Sequence, residues 1–376
     1  MRKSWRKATL ADLVALQRGH DLPTQVRDVG IVPVIGAGGP NGYHSAANVS
    51  APGVVVGRSG SGFGNVWWSD VPFWAHNTGL YVTDFKGNDQ RFVYYQLSAL
   101  NFASYNSGGL QPSLNRNFIY PIELCIPPLE EQRGIAGILR TWDDALEKTE
   151  RLLSVKAAAF SWVASTLLTG RRRLGGRRTN WPSVALTEVT REATARNGKT
   201  QFDVDVVMGV NKLHGMIPMK DHVRAADLSR YKIVRPGAFA YNPMRLNIGS
   251  IAQNLHGRDV LVSPDYVAFE IRPDSLLPAY FDHLRRTPMW SRFVKTAGSG
   301  GVRVRIYYDD LADFILELPP LDEQARIIEV LDTGRREIAI LERQRDALAK
   351  QKRGLMQKLL TGEWTVKVPE SQEAAE

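Results

Sequence analysis

The stretch IPPLEEQRGIAGIL at residues 126–139 returns as LPPLDEQARIIEVL at 318–331, and LLTG at 167–170 returns as LLTG at 359–362. Both pairs lie 192 residues apart, and no gap is needed between them. The same shift carries SGG at 107–109 onto SGG at 299–301. Farther upstream, Pro52-Gly53 meets Pro236-Gly237 at a shift of 184, and Trp5 with Leu10 meets Trp181 with Leu186 at 176. A shift that drifts in steps is what loop insertions inside a duplicated unit produce, so the chain reads as one unit written twice.

Each copy closes with a segment of helix formers that lacks internal proline, around 129–169 and 321–361. In the first, Ile135, Leu139, Trp142, Leu146, Thr149, Leu153, Lys156, Phe160, Val163 and Leu167 follow steps of four and three. In the second the series is Ile327, Leu331, Gly334, Ile338, Leu341, Arg345, Leu348, Lys352, Leu355 and Leu359. Such a pattern is a coiled-coil seam. Pro127-Pro128 and Pro319-Pro320 precede the starts, and Glu130-Glu131 and Asp322-Glu323 suit the positive end of a helix dipole. Gly170 and Gly362 suit C-caps. Antiparallel packing reverses one seam and sets Trp142 against Lys352 and Phe160 against Gly334. A break at Thr141, which heads the possible capping box TWDD, is the alternative. At ~1.5 Å per residue, about forty residues make a rod of about 60 Å. Alone, such helices would imply a dimer or bundle; two equivalent rods between two equivalent domains make a spacer.

The remaining segments, 1–125 and 177–317, carry β-rich runs (GVVVG, GLYVTDF, VLVSPDYVAFEI, VRVRIYY) broken by Gly, Pro and Asn, with helical stretches such as RFVYYQLSAL. Each reads as an α+β domain. The expected boundaries are 1–126, a central helical region 127–176, a second domain 177–318, a C-terminal helical region 319–368 and an unstructured tail 369–376. In all, 48 Lys and Arg against 39 Asp and Glu give +9 over 376 residues, which favours a polyanionic partner. Cys125, in the apolar run LCI, reads as a small core residue. As the only cysteine it excludes an internal disulfide and a Cys-based zinc cluster, and it suits a reducing compartment. The basic N-terminus lacks a signal peptide's apolar region, and Ala157 to Leu168 is too short and serine-interrupted to span a bilayer, so a cytoplasmic protein without membrane contact is expected.

With this order of domain, PPLEEQ helix ending in LLTG, domain, and PPLDEQ helix ending in LLTG, the chain resembles the specificity subunits of type I restriction-modification systems. GRSGSGFGNV at 57–66 and YNPMRLNIGSIA at 241–252 also resemble that family's target-recognition segments. The resemblance implies an α+β fold of two tandem target-recognition domains, separated by two long helices packed as an antiparallel coiled coil with an internal pseudo-two-fold repeat. It further implies that each domain reads one half of a bipartite site in double-stranded DNA. The helices would set the spacer and dock two methyltransferase subunits and, through them, nuclease-translocase subunits.

Loops that read DNA combine phosphate-holding Arg, Lys, hydroxyls and glycine amides with base-reading Arg, Asn, Gln or Lys. In the first domain Arg58, Ser59 and Ser61 form one such set, and Ser107, Gly108, Gln111, Asn115 and Arg116 another. In the second, Lys212, His214, Asn242, Arg245, Ser299, Gly300, Arg303 and Arg305 correspond, with Arg303 and Arg305 expected on one strand face. The five arginines of RRRLGGRR (171–178) could grip spacer phosphates or form a solvated linker. Trp67, Trp68 and Trp74 read as core residues before supports for a flipped base.

Catalytic constellations are incomplete. Asn242-Pro243-Met244-Arg245 is similar to the catalytic loop of amino-methyltransferases but has Met and Arg where that loop needs Pro and an aromatic. Gly36-Ala37-Gly38-Gly39 has Asn41 where a dinucleotide loop needs its third glycine, and Gly198-Lys199-Thr200 has Ala193 where a phosphate loop needs its first. Pro264-Asp265 with Glu270 lacks a nuclease lysine, Arg272 standing there, and the seven histidines form no HxxxH or HExxH pair. No catalytic residue, metal or cofactor is expected. The rival readings are a fused or stand-alone metal-dependent DNA nuclease and a non-catalytic coiled-coil scaffold.

Overall fold

Each copy of the repeat opens and closes on a two-stranded stitch. Arg6–Thr9 runs antiparallel to Glu123–Ile126, and Ser183–Ala185 runs antiparallel to Ile315–Glu317. A short turn follows at once in both, held by Asp12 accepting from the Thr9 amide (2.8 Å) and by Glu188 accepting from the Ala185 amide (2.8 Å). These observations come from a computed structural model that describes residues 5–109, 111–174, 180–199, 202–219, 227–297 and 305–366. It divides into two compact units, residues 1–150 with 343–376, and residues 151–342.

In the first unit a four-stranded antiparallel sheet has the order Ala15–Arg18, Gly79–Asp84, Gly53–Gly57, Val66–Ser69. The strand GVVVG is buried throughout because both faces are covered. Val54 and Val56 enter the main core, with Phe92 and Leu97 of the helix Gln90–Ala99, while Val55 enters a smaller core with Ile35 and Phe73. That division follows from the two-residue period of a strand. The second unit repeats the sheet as Thr190–Glu192, Val267–Ile271, Phe239–Tyr241, Ile251–Gln253. Phe239 stacks on Phe269 at 5.5 Å, and Phe281 of the helix Pro278–Leu284 meets Phe239 edge-on at 5.0 Å.

The long helices are continuous, Leu129–Leu168 and Leu321–Leu360. The first unit's core takes Ile135 and Leu139 from the start of the first helix and Leu359 and Leu360 from the end of the second. The second unit's core takes Leu167 and Leu168 together with Ile327 and Leu331. In each unit the helices therefore pass antiparallel. Seam residues are more buried than their helix neighbours: Leu139 and Leu331 are fully buried, and Trp142, Leu146, Leu153, Phe160, Ile338, Leu341, Leu348 and Leu355 are half-buried. Phe160 lies on Gly334, where an added Cβ would come within 2.8 Å of the ring, as the antiparallel register requires.

Four expectations change. Lys352 pairs with Asp143 and lies 5.5 Å over the Tyr95 ring instead of over Trp142. No break occurs at Thr141, whose hydroxyl donates to the Gly137 carbonyl inside the helix (3.1 Å). Of VRVRIYY, residues 302–304 lie outside the described residues, while Arg305 to Tyr307 form no strand and lead into the 3-10 turn Asp309–Asp313. Cys125 is half-buried, packing against the first unit's core from its margin rather than within it.

Candidate nucleic-acid interface

The helix starts explain why Glu-Gln recurs there. Glu131 accepts from the Trp5 indole at 2.9 Å, and Glu323 accepts from the Trp181 indole at 3.2 Å. Gln132 accepts from the Asp89 amide (2.8 Å) and donates to Asn88 and the Pro127 carbonyl (both 2.9 Å). Gln324 accepts from the Leu277 amide (2.8 Å) and donates to the Ser275 and Pro319 carbonyls (both 2.9 Å). Both glutamines are buried, so each satisfies groups that water cannot reach. Gly170, at φ +68°, caps one helix beneath Trp181, and Gly362, at φ +73°, caps the other beneath Trp5.

These sockets hold the domains so that a cleft opens at the same place in each. Beside the end of Gly53–Gly57 is a cavity of about 430 Å³ lined by Gln17, Arg18, Arg58, Ser107, Asn115 and Arg116, among others, with no acidic residue. The Leu114 amide donates to the Arg58 carbonyl (2.8 Å), and Arg116 is anchored on the Leu16 carbonyl (2.6 Å). Asn106 holds the loop by accepting from the Gly108 and Ser113 amides (both 3.0 Å), and a Cβ on Gly108 would strike the Gln111 carbonyl.

The second cavity, about 530 Å³, adjoins the end of Phe239–Tyr241 and is lined by Glu192, Lys232, Asn242, Asp265, Tyr266, Arg305, Tyr307, Tyr308 and Asp309, among others. The positions correspond. The Ile306 amide donates to the Pro243 carbonyl (3.2 Å) as Leu114 does to Arg58, and the 192-residue shift sets Tyr307 and Tyr308 where Asn115 and Arg116 stand. Across the sheets, the pair Val56–Leu80 matches Tyr241–Val267, both on the main-core face, and the shift of 176 sets Glu192 where Leu16 stands. Tyr308 shares a hydrogen bond with Thr190 (2.9 Å), and burial raises its pKa. Burial lowers the pKa of Lys232, against the pull of Glu192 at 3.8 Å.

Of the expected DNA residues, the first cleft thus gathers Arg58, Ser107, Asn115 and Arg116, and the second gathers Asn242 and Arg305. Ser59 bridges Ser113 at the first cleft's edge, Ser61 is exposed in the turn Gly60–Gly62, and Gln111 is exposed. Lys212 lies apart, in a separate cleft with Leu246 and Trp290, and exposed His214 sits in the hairpin turn between Met208–Asn211 and Gly215–Pro218. Arg245 is exposed at the start of the turn Leu246–Ile248. Ser299, Gly300 and Arg303 lie outside the described residues. Sequence reasoning missed Gln17, Arg18, Glu192, Lys232 and the three tyrosines. The repeat alignment alone could have found Tyr307 and Tyr308.

Other candidates are occupied within the protein. Arg173 forms two hydrogen bonds to Glu323 (2.8 and 2.7 Å) and stacks over Trp181, and Arg172 lies over Trp162. Trp67 donates to the Ala37 carbonyl, Trp68 is covered by Arg91 at 4.0 Å, and Trp74 donates to the His20 carbonyl. Among the described residues no group of three or more His, Cys, Asp or Glu could hold a metal, and no helix is long and apolar enough to cross a membrane.

Residues 2–157 match the family model described as type I restriction modification DNA specificity domain. Over 158 residues the chain is 25% identical to the EcoprrI specificity subunit of Escherichia coli, a match covering 41% of this chain and 39% of that one. Over 337 residues it is 23% identical to the Haemophilus influenzae type I specificity subunit S.HindORF215P, covering 82% and 81%. The type I restriction-modification S subunit of M. genitalium superposes with a TM-score of 0.62 at 14% identity, over 95% of this chain and 96% of that one. A chain from a type I R-M system structure concerned with complex assembly gives 0.53 at 16%, over 97% and 99%. The structural likenesses bear on the fold. Residues 2–157 therefore carry a type I restriction modification DNA specificity domain, and over most of its length the chain is similar to the specificity subunits of type I restriction enzymes.

Proposed function

We propose that the protein recognises double-stranded DNA, with residues 1–126 and 177–318 each reading one half of a bipartite site and the helical regions 127–176 and 319–368 setting the unread spacer. The observation that carries this reading is the pair of clefts at equivalent positions, built on equal frames but lined by different side chains. One frame can thus present two specificities. Half-sites on one face of DNA lie about 34 Å apart or a multiple of it, a distance that stiff helices can fix and a flexible linker cannot. On this reading the protein positions its partners, two methyltransferase subunits and through them nuclease-translocase subunits, and the partners supply the chemistry. It works in the cytoplasm, where the DNA is.

Mapping methylated adenines in cells carrying the partner genes tests the reading. The expected outcome is a single asymmetric bipartite motif. Deleting matched turns from both helices should then change the spacer and leave both half-sites intact. A change in the half-sites would overturn the ruler.

A further inference from the structure

The second domain's cleft is poorly suited to a phosphate and well suited to a flat heterocycle. Glu192, Asp265 and Asp309 outnumber Lys232 and Arg305 along its lining, so a phosphodiester is repelled there. The exocyclic amino groups of adenine, cytosine and guanine are donors that carboxylates accept. Tyr266, Tyr307 and Tyr308 add aromatic surface, and Tyr307 is 50% exposed, a large ring left open to solvent within a DNA-reading domain. Beside the cleft, Tyr241 is fully buried, and its hydroxyl finds no hydrogen-bond partner among the described residues. The cavity, about 530 Å³, falls within the roughly 300–1,000 Å³ of ligand pockets. The first domain's cleft has none of this character: no acidic residue lines it, and at the positions of Tyr307 and Tyr308 it has Asn115 and Arg116.

We propose that the second domain's cleft captures one base flipped out of the bound duplex, stacking it on tyrosine and reading its amino edge with carboxylates, while the first domain reads its half-site without extrusion. This rests on the DNA-reading role proposed above. An extruded base must repay the loss of stacking and pairing, and an aromatic wall with polar groups behind it repays both.

The test uses the full chain assembled with its methyltransferase subunits, on duplexes carrying the methylation-mapped site. Single abasic residues are scanned across both half-sites, with 2-aminopurine at each purine. One position, in one half-site only and distinct from the methylated adenine, should bind about ten-fold tighter when its base or the partner base is removed, because the unpairing cost disappears. 2-Aminopurine at or next to that position should change fluorescence on binding. Tyr307→Ala should abolish the fluorescence change and weaken binding to the intact site about ten-fold, while Tyr307→Phe keeps both. A response only at the methylated adenine, which the methyltransferase itself extrudes, would overturn the capture and leave DNA reading intact. A signal unchanged in Tyr307→Ala would overturn it too. Absence of any site-specific binding would overturn both proposals.

Discussion

At the helix starts the two units are interchangeable: Gln132 and Gln324 make equivalent bonds, and Trp5 and Trp181 donate to equivalent glutamates. At the clefts they are not, since Asn115 and Arg116 occupy positions where the second unit has Tyr307 and Tyr308. The difference follows from burial. A buried glutamine that satisfies a backbone amide and a carbonyl has no replacement of equal shape and bonding, so both copies need it. A side chain at a cleft mouth faces water, and its replacement costs the fold little.

The sharpest way to break this comparison is at the sockets. Gln132→Ala and Gln324→Ala should each cost about 3 kcal/mol, because each strands buried backbone groups. Denaturant unfolding checks it, and markedly unequal losses would show that the frames are not equivalent. Next come the seams. Phe160 over Gly334 and Lys352 on Asp143 occupy symmetric places, yet only the first is apolar packing. Phe160→Ala should cost about 2 kcal/mol, less than a fully buried ring because Phe160 is half-buried. Lys352→Met should cost less than about 1 kcal/mol, since the pair is only half-buried and Asp143 keeps its bond from Tyr95.

A smaller effect separates the short helices that tie each domain to its long helix. His283 bonds to Asp332 at 2.8 Å; burial and Arg335 hold its pKa below the ordinary 6.5, against the pull of Asp332 and Asp282. The unfolded chain therefore takes the proton first. The stability this provides is complete above about pH 6.5 and is lost as pH falls through the folded-state value. Protection of the Pro278–Leu284 amides, corrected for the intrinsic exchange rate, should fall on acidification from pH 7.5 to 5.5, and His283→Asn should remove the dependence. The counterpart in the first unit is Tyr95, bonded to Asp143 at 2.5 Å; burial and that bond raise its pKa, so Gln90–Ala99 should show no such step. Smallest of all, Arg58→Ala and Arg116→Ala should each lower the salt slope of DNA binding by about 1, whereas Asn242→Ala should leave it unchanged.

The duplication, both helices, their caps and the register that seats Phe160 on Gly334 were all legible, because each is written as a local period or a fixed shift. The partner of Lys352 was not. A lysine reaches several neighbours, and the choice fell to Tyr95 and Asp143, set by a short helix that sequence could not place against the rod. The clefts divide the same way. Arg58, Asn115 and Arg116 lie on loops whose composition announces them, while Gln17 and Glu192 come from strands, one in each unit, whose neighbours in the sheet are not their neighbours in the chain. Lys212 had the right composition, but its hairpin directs it to a different cleft.

Each unit is assembled from the start of one long helix and the end of the other, with Gly362 under Trp5 and Gly170 under Trp181. A half-length ancestor with one domain and one helix could therefore fill only one of its two sockets from the matching helix start. The other would have to be filled by a second molecule, offering its own helix end in exchange. Fusion of two such genes would turn that reciprocal exchange into an intramolecular one and release the two halves to diverge.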